Sequence, residues 1–439
     1  MLSKIKEVFL FSLPLIAGQI GQMMFGMGDL MVAGRYSSNM VAALGIANGL
    51  FSPFFMVCLG ITFAVAPITA RYSGEGKAAH SLLSSSLLAA LLISIFGHIG
   101  VEIVIAHIDY FKINPELVPD VVTYLKICLL SIYGAIIFQV CKEYLQAHMK
   151  TYFSNGLILV MNIFNIILNY CLIFGKFGVP SLGIKGIAIA TLITRTSMGL
   201  ILLFYVIKKY GISLPSKKEI KEVFSLGSPI AASVLIEVMV FATVTTLIGR
   251  MSPLTSAAHN IALNLASLTF MVPLAVSSAA GTYVGLHFGK RDLHELMIYA
   301  RTCLIISLSF MMFTASLYFL IPQFLFKIFT NDMELIIHGS SLLFIVGMFQ
   351  IPDGAQVTLQ GILRGMGVTK VPAMMAFVSN WIIGLPIGHY LAFSKGFNAQ
   401  GLWSGLAIGL TIMAISVAFL YQKKKIEFKS MIKLGNNTQ

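Results

Sequence analysis

Charged residues are scarce in this chain, and acidic residues are the scarcest. Its 439 residues include 17 Asp and Glu against 30 Lys and Arg, and charged residues make up 11% of the sequence. A soluble domain carries about 25% charged residues. The chain also has no polar stretch long enough for a soluble catalytic domain. A protein built from ordinary soluble domains is therefore excluded.

Cysteine and the common catalytic motifs are missing or rare as well. The five cysteines form no C-x-x-C pair and lie mostly in apolar runs, so we expect free, buried thiols. The pattern G-x-x-x-x-G-K-[ST] is absent, and the nearest phrase, at residues 74–77, lacks its spacing. Direct ATP hydrolysis is therefore not expected. The sequence contains neither H-E-x-x-H nor G-x-S-x-G, and its nine histidines lie mostly near helix ends. We expect no enzymatic activity.

Long apolar runs dominate what is present, with 57% hydrophobic residues and a mean hydropathy of +0.87. A membrane-spanning helix needs about 20 mostly apolar residues. The runs predict an all-α integral membrane protein, and we expect the prolines inside them to mark bends. The twelve predicted spans are residues 8–33, 40–70, 82–107, 118–147, 152–175, 183–208, 225–250, 256–288, 295–327, 336–363, 371–394 and 398–421.

The basic residues indicate the orientation of these spans. One set of alternate loops, together with both termini, holds 20 Lys and Arg, and the opposite set holds eight. Because cytoplasmic loops carry the excess of Lys and Arg, both termini are predicted to be cytoplasmic. The net charge of +13 lies in short clusters between apolar runs. These clusters favour contacts with anionic membrane lipids rather than with nucleic acid.

An internal repeat divides the chain into halves. Shifted by 215 residues, residues 5–77 align without gaps on residues 220–292 with 23 identities, including IKEVF with IKEVF and Pro14 with Pro229. Six spans separate the copies, so both halves have the same orientation. We predict two pseudo-symmetric six-helix lobes around a central cavity. The lobes are residues 1–210 and residues 211–439, the second ending in a short basic cytoplasmic tail. Such parallel repeats are common in transporters.

Of the 17 acids, 14 lie in loops or toward helix ends, and three remain well inside the apolar spans. They are Asp29 in the first span, Glu237 in the seventh and Asp353 in the tenth. A charged acid at the bilayer centre costs about 2.5–3.5 kcal/mol on insertion scales. We therefore expect each of them to bind a cation, a proton or a cationic substrate.

Polar residues at helical spacing accompany these acids. Gln22 precedes Asp29 by seven residues, and Gln356 and Gln360 follow Asp353 on one helical face. Such stripes can also serve only to hydrogen-bond neighbouring helices. The remaining stripes are Asn162, Asn165 and Asn169 in the fifth span, Thr191, Thr194 and Arg195 in the sixth, and Asn260, Asn264 and Ser267 in the eighth. Arg195 is either a structural partner of an acid or faces an aqueous cavity.

The repeat does not duplicate the acids. Val244 stands at the position equivalent to Asp29, Gln22 at that of Glu237, and Ile136 or Ala135 at that of Asp353. The sequence therefore predicts two unlike polar cavities, one in each half.

Several phrases of the sequence resemble the multidrug and toxic compound extrusion (MATE) family, in its bacterial NorM-type branch. They are LPLIAGQIGQMMFGMGDLMVAGRYS in the first span, APITARYSGEG at the end of the second, LNYCLIFGKFGVPSLGIKGIAIAT around the fifth and sixth, and QIPDGAQVTLQGILRGMGVTKVP in the tenth. The resemblance covers essentially the whole chain.

The resemblance implies export of cationic, amphipathic drugs in exchange for Na⁺ or H⁺ by rocking of two lobes. It assigns Glu237 and Asp353 to a cation site that binds Na⁺ or protons. It assigns Asp29, with Asn165 and Asn169, to a substrate or proton site in the N-terminal lobe. We add Thr191 of the sixth span to this site, and we expect Gln22, Asn264, Gln356 and Gln360 to support these groups. We further expect a monomer in the plasma (inner) membrane of a bacterium, with no cofactor beyond the coupling ion. The alternative is a flippase-like exporter of lipid-linked or other metabolites, which would favour a markedly cationic cavity.

Overall fold

The computed structural model describes residues 2–77, 79–176, 178 and 180–436. In this part of the chain, twelve helical segments are long and apolar enough to cross a membrane, which confirms the twelve predicted spans. The helices are α1 (Leu2–Gly34), α2 (Ser38–Thr62), α3 (Val65–Gly74), α4 (His80–Ala106), α5 (Val118–Ala147), α6 (Tyr152–Phe174), α7 (Ile184–Tyr210), α8 (Lys217–Gly249), α9 (Pro253–Gly289), α10 (Leu293–Leu320), α11 (Pro322–Lys327), α12 (Met333–Gly365), α13 (Lys370–Phe377), α14 (Leu385–His389) and α15 (Asn398–Asn436).

Two of the spans are interrupted near prolines. The second span breaks between α2 and α3, three residues before Pro67. The eleventh combines α13 and α14 with π-helical turns at Val378–Gly384 and Tyr390–Ser394, and Pro386 lies between these turns. Proline removes one backbone hydrogen bond, and neighbouring helices can satisfy the freed groups. By contrast, α9 continues through Pro273.

Three helices extend beyond the predicted spans because their polar ends are amphipathic. The first and eighth helices begin at Leu2 and Lys217 rather than at residues 8 and 225. Their early turns bury Val8 and Val223 completely or almost so. Between the sixth and seventh predicted spans, which end at residue 208 and begin at residue 225, only residues 211–216 lie outside helices.

The last helix also runs past its predicted end at residue 421. Phe428 is buried and stacks on Phe288, with ring centroids 4.6 Å apart. This contact explains why the basic sequence after the last apolar run stays helical. The final three residues of the predicted basic tail, 437–439, lie outside the described residues.

The chain divides into two compact units, which we call the N-terminal unit (residues 17–231) and the C-terminal unit (residues 1–16 and 232–439). The two boundaries, after residues 16 and 231, are themselves 215 positions apart. Each follows a proline of the repeat, Pro14 or Pro229, by two residues. The predicted lobe boundary at residue 210 stays a prediction.

In the N-terminal unit, α5 packs against α7, α4 and α2. The core between them includes Leu44, Ile132 and Tyr144. The start of α8 belongs to this unit, where both carboxylate oxygens of Glu219 accept hydrogen bonds at 2.7 Å, from Ser81 and Ser85.

In the C-terminal unit, α12 packs against α9, α10 and α15, around a core that contains Trp403. The start of α1 belongs here, with the Lys4 ammonium 2.9 Å from the Glu295 carboxylate. The eleventh span crosses α15 at glycines. A Cβ atom on Gly405 would collide with the backbone of Gly388, so this crossing depends on the absence of side chains.

We expect Gly405→Ala to lower the stability of the protein. The added methyl forces two packed helices apart, which costs about 1–3 kcal/mol in an overpacked core. Thermal unfolding of the purified protein in detergent measures the change. Gly156→Ala is the control, because Gly156 is an exposed helical residue with no neighbouring atom near its Cβ position. Equal melting temperatures for the two variants would contradict the close packing.

Candidate functional site

Asp29 lies at the centre of a polar cluster within the N-terminal unit. It is buried, with 6% of its surface exposed. The amide of Asn169 on α6 donates to one carboxylate oxygen at 2.6 Å, and the hydroxyl of Thr191 on α7 donates to the other at 3.3 Å. Three helices therefore supply one hydrogen-bonded group.

The cluster continues along α6. The Asn169 amide also donates to Asn165 Oδ1 at 3.1 Å, and the Asn165 amide donates to the Thr194 hydroxyl at 3.4 Å. Asn165, Asn169 and Thr194 are almost fully buried. The structure thus brings together the four residues predicted for the site of the N-terminal lobe, Asp29, Asn165, Asn169 and Thr191.

Arg195 extends from the next turn of α7 toward aromatic rings. Its guanidinium lies 4.7 Å from the ring centroid of Phe55 and 5.9 Å from that of Phe51, and it donates to Ser131 Oγ at 3.1 Å. It also interacts electrostatically with Asp29. Cation–π contacts of this kind are worth about 0.5–2 kcal/mol. Arg195 therefore interacts with two aromatic rings, a serine hydroxyl and the Asp29 carboxylate, all within its own unit.

In the C-terminal unit, two glutamines link the two predicted cation-binding acids. The Gln356 amide donates to Asp353 Oδ1 at 3.2 Å. The Gln360 amide donates both to Gln356 Oε1 at 2.7 Å and to Glu237 Oε1 at 3.2 Å. Gln356 is buried, and the other three residues are partly exposed. The result is a hydrogen-bonded row from α12 to α8.

The chemistry of this row suits a hard monovalent cation. Carboxylate and amide oxygens are the ligands that Na⁺ shares with other hard cations, and either carboxylate can take a proton instead. No group of three or more His, Cys, Asp or Glu residues within the described ranges could hold a metal ion. The donor set is therefore unlike that of a structural or catalytic transition-metal centre.

The two remaining predicted residues have different surroundings. Gln22 lies in the N-terminal unit and donates to Gln139 Oε1 at 3.3 Å. Asn264 is exposed, and its amide donates to the carbonyl of Asn260 in its own helix at 2.9 Å. The structure therefore brings Gln22 to a polar partner on another helix and leaves Asn264 outside the row around Glu237.

Sequence reasoning missed Glu143, a buried acid beside a glutamine. Glu143 on α5 is 5% exposed and accepts a hydrogen bond from the Gln139 amide at 2.9 Å. Its position four residues before the end of α5 is typical of an acid at a membrane surface, so the sequence alone does not set it apart from the acids toward helix ends. The signal that could have found it is the match of Gln139 and Val140 with Gln356 and Val357 in the other half.

Comparison with known proteins adds to this geometry. The MatE family model matches residues 14–171 and 229–390, two stretches whose first residues are again 215 positions apart. The chain is 31% identical over 437 residues to a probable multidrug resistance protein NorM of Agrobacterium fabrum, covering 94% of this chain and 92% of that protein. It is 29% identical over 435 residues to a probable NorM of Bacillus subtilis, covering 96% of each.

Solved structures show the same fold. One is a MATE protein in a bent conformation, with a TM-score of 0.89, 16% identity, and coverage of 98% of this chain and 97% of that one. Another is the eukaryotic MATE transporter AtDTX14, with a TM-score of 0.84, 18% identity, and coverage of 98% and 99%. At these identities the likeness establishes the fold alone.

We expect Asn169→Leu to destabilise the protein by removing a donor from the buried Asp29 carboxylate. An unsatisfied buried polar group costs about 1–3 kcal/mol, and more when it is charged. The cost should be smaller in an Asp29→Asn background, which a double-mutant cycle of unfolding free energies in detergent measures. Asn264→Leu is the control, with an expected change within about 0.5 kcal/mol. Additive costs at positions 29 and 169 would contradict the coupling.

Proposed function

Since the chain belongs to the MatE family, as its motifs predict, we propose that it exports small cationic, amphipathic drugs or toxic compounds in exchange for Na⁺ or H⁺. The relatives named above are described as multidrug resistance proteins, which supports a drug-like substrate. The chain is a multi-pass membrane protein with twelve candidate spans. We further propose that it acts as a monomer in a bacterial inner membrane, among its lipids and without ATP, with both termini in the cytoplasm.

The observation that carries this proposal is the hydrogen-bonded row from Asp353 to Glu237. Two carboxylates in an apolar unit are costly while both are ionised, because charge in a membrane is poorly solvated. Binding of Na⁺ or a proton between them removes part of that cost. The Gln356 and Gln360 amides orient the carboxylate oxygens and offer carbonyl oxygens of their own. Both acids are partly exposed, so a small cation can reach them.

The Asp29 cluster supplies the second half of the exchange. A cationic substrate or a proton at Asp29 would neutralise a carboxylate that Asn169 and Thr191 hold in place. Arg195 is one basic group stacked on two phenylalanines, which differs from the markedly cationic cavity that anionic lipid headgroups need. This contrast favours drug export over the flippase-like alternative.

Exchange follows if the two ligands favour different conformations. A ligand shifts a conformational equilibrium only by its differential affinity for the two states. Cation binding at Glu237 and Asp353 would favour one state, and drug binding at Asp29 the other. In this proposal the repeated halves provide the moving bodies of an alternating-access cycle.

We expect Glu237→Gln and Asp353→Asn each to abolish cation-driven export, because each removes one carboxylate of the row. The measurement is drug efflux from proteoliposomes with an imposed Na⁺ gradient and, separately, an imposed H⁺ gradient. The gradient that drives the unsubstituted protein identifies the coupling ion. Glu334→Gln is the control, because Glu334 lies exposed in the first turn of the same helix, α12. Coupled efflux that survives in both variants would refute the cation site.

Asp29→Asn should abolish drug resistance while the protein still folds, because asparagine keeps the shape of the side chain but not its charge. Drug susceptibility of cells that express equal amounts of each variant measures the effect. Asp109→Asn serves as the control, since Asp109 is exposed in the short turn Ile108–Phe111. Resistance equal to that of the unsubstituted protein would remove Asp29 from the site.

A further inference from the structure

Three positions of the internal repeat carry the same kinds of polar group in both halves. The offset of 215 residues pairs Gln22 with Glu237. In the fourth span of each half, the matching Gln-Val pairs at 139–140 and 356–357 set an offset of 217, which pairs Glu143 with Gln360. Each half therefore has one carboxylate and two amides at these positions, but the carboxylate stands on a different helix.

The structure links these three positions in each unit. In the N-terminal unit, Gln22 on α1 donates to Gln139 on α5 at 3.3 Å, and Gln139 donates to Glu143 Oε1 at 2.9 Å. We call this set the Gln22–Gln139–Glu143 triad. Its two α5 members are 2% and 5% exposed.

The equivalent positions of the C-terminal unit are linked in a related way. Gln360 donates to Gln356 on its own helix at 2.7 Å and to Glu237 on α8 at 3.2 Å. The two units differ in the bond that joins the two helices. In the C-terminal unit Gln360 is its donor, whereas in the N-terminal unit Gln139 is its acceptor. In both units an amide N–H of the fourth span of the half donates to the carboxylate, within α5 in the N-terminal unit and from α12 to α8 in the C-terminal unit.

A basic residue accompanies the carboxylate in both units. Lys142 interacts electrostatically with Glu143, and Arg364 does so with Glu237. A nearby positive charge is therefore common to both arrangements and does not distinguish them. It offsets part of the cost of burying a carboxylate, while the amides supply its hydrogen bonds.

Other titratable groups near this end of α5 are engaged with different partners. The Tyr144 hydroxyl donates to the Ala79 carbonyl, and His148 packs against Tyr210 with tilted rings whose centroids are 4.7 Å apart. On α3, which packs against α5, Arg71 and Tyr72 both bind Glu222. On α4 and α7, His80 and Lys209 interact electrostatically with His148.

We propose that the Gln22–Gln139–Glu143 triad is a further monovalent-cation site, which binds H⁺ or Na⁺ at the Glu143 carboxylate. Gln22 lies seven residues before Asp29 in α1, about 10 Å along the helix axis, so this site is separate from the Asp29 cluster. Its role in transport rests on the proposed cation-coupled export. Its existence as a binding site does not.

The test measures the carboxyl group itself rather than transport. Infrared difference spectra of the purified protein in lipid nanodiscs, recorded as the pH is lowered, show the C=O band of each carboxylic acid that forms. We expect Glu143→Gln to lose one band. The double variant Gln22→Glu/Glu143→Gln should regain a band, because it moves the carboxylate to the position that it has in the C-terminal unit.

Two further arms identify the origin of the band and the ligand. Gln139→Leu should shift the band to higher frequency, because the carboxyl group loses an amide donor. Since this variant keeps Glu143, it tests the proposal even if Glu143→Gln fails to fold. Suppression of the band by Na⁺ at fixed pH identifies Na⁺ as a ligand, and its persistence identifies H⁺. Glu102→Gln, at an exposed acid on α4, is the control for nonspecific change.

An unchanged spectrum in Glu143→Gln, or in Gln139→Leu, would overturn the proposal. So would a double variant that regains no band. Because no transport is needed, these outcomes are distinguishable from a failure of the proposed function. A protein that exports no drug at all could still give the expected spectra.

Discussion

Hydrogen bonding without water is the constraint on which the rest of this structure depends. In the membrane interior each unsatisfied backbone group costs several kcal/mol, so only helices with internal hydrogen bonds can span it. The same constraint applies to side chains. Asp29, Glu143 and Glu237 each accept a hydrogen bond from an amide of the same unit. The acids therefore need the clusters of Asn, Gln and Thr, which supply their hydrogen-bond donors. The acids in turn give each cluster a group that can bind a proton or a cation.

The internal repeat determines where these groups lie. The boundaries between the two units fall at equivalent positions, each two residues after a proline of the repeat. In each copy the IKEVF stretch at the start of the first helix belongs to the unit formed by the other half, where Glu7 and Glu222 both accept a hydrogen bond of 2.8 Å from a tyrosine hydroxyl. The two equivalent glutamates therefore make the same kind of hydrogen bond, although their tyrosine partners, Tyr299 and Tyr72, do not stand at equivalent positions of the repeat.

The sequence predicts the helices better than it predicts their ends or their contacts. Twenty apolar residues are visible without a structure, whereas the helical starts before Val8 and Val223 depend on tertiary burial that no hydropathy window records. The same holds for the candidate site, where the sequence predicts the residues better than their contacts. The Asn stripe of α6 and the Thr stripe of α7 are each readable from the chain as a helical spacing, and both reach Asp29. Asn264 also belongs to a stripe at helical spacing, yet it lies outside the Glu237 row, because spacing gives the face of a helix but not what that face meets.

The clearest case is Glu143, whose place near a helix end makes it resemble a surface acid. Only the equivalence with Gln360, combined with its burial, distinguishes it. Counting it changes the balance between the halves. The N-terminal unit then holds Asp29 and Glu143, and the C-terminal unit holds Glu237 and Asp353, so each half carries two acids that need an amide donor or a cation. At two paired positions of the repeat, one half has Glu where the other has Gln: Gln22 pairs with Glu237, and Glu143 pairs with Gln360. The number of acids in each half therefore stays the same, while the helix that carries the charge differs. In the proposed function, two halves with one framework would therefore respond to cations through different helices, so that binding at one half would differ in consequence from binding at the other.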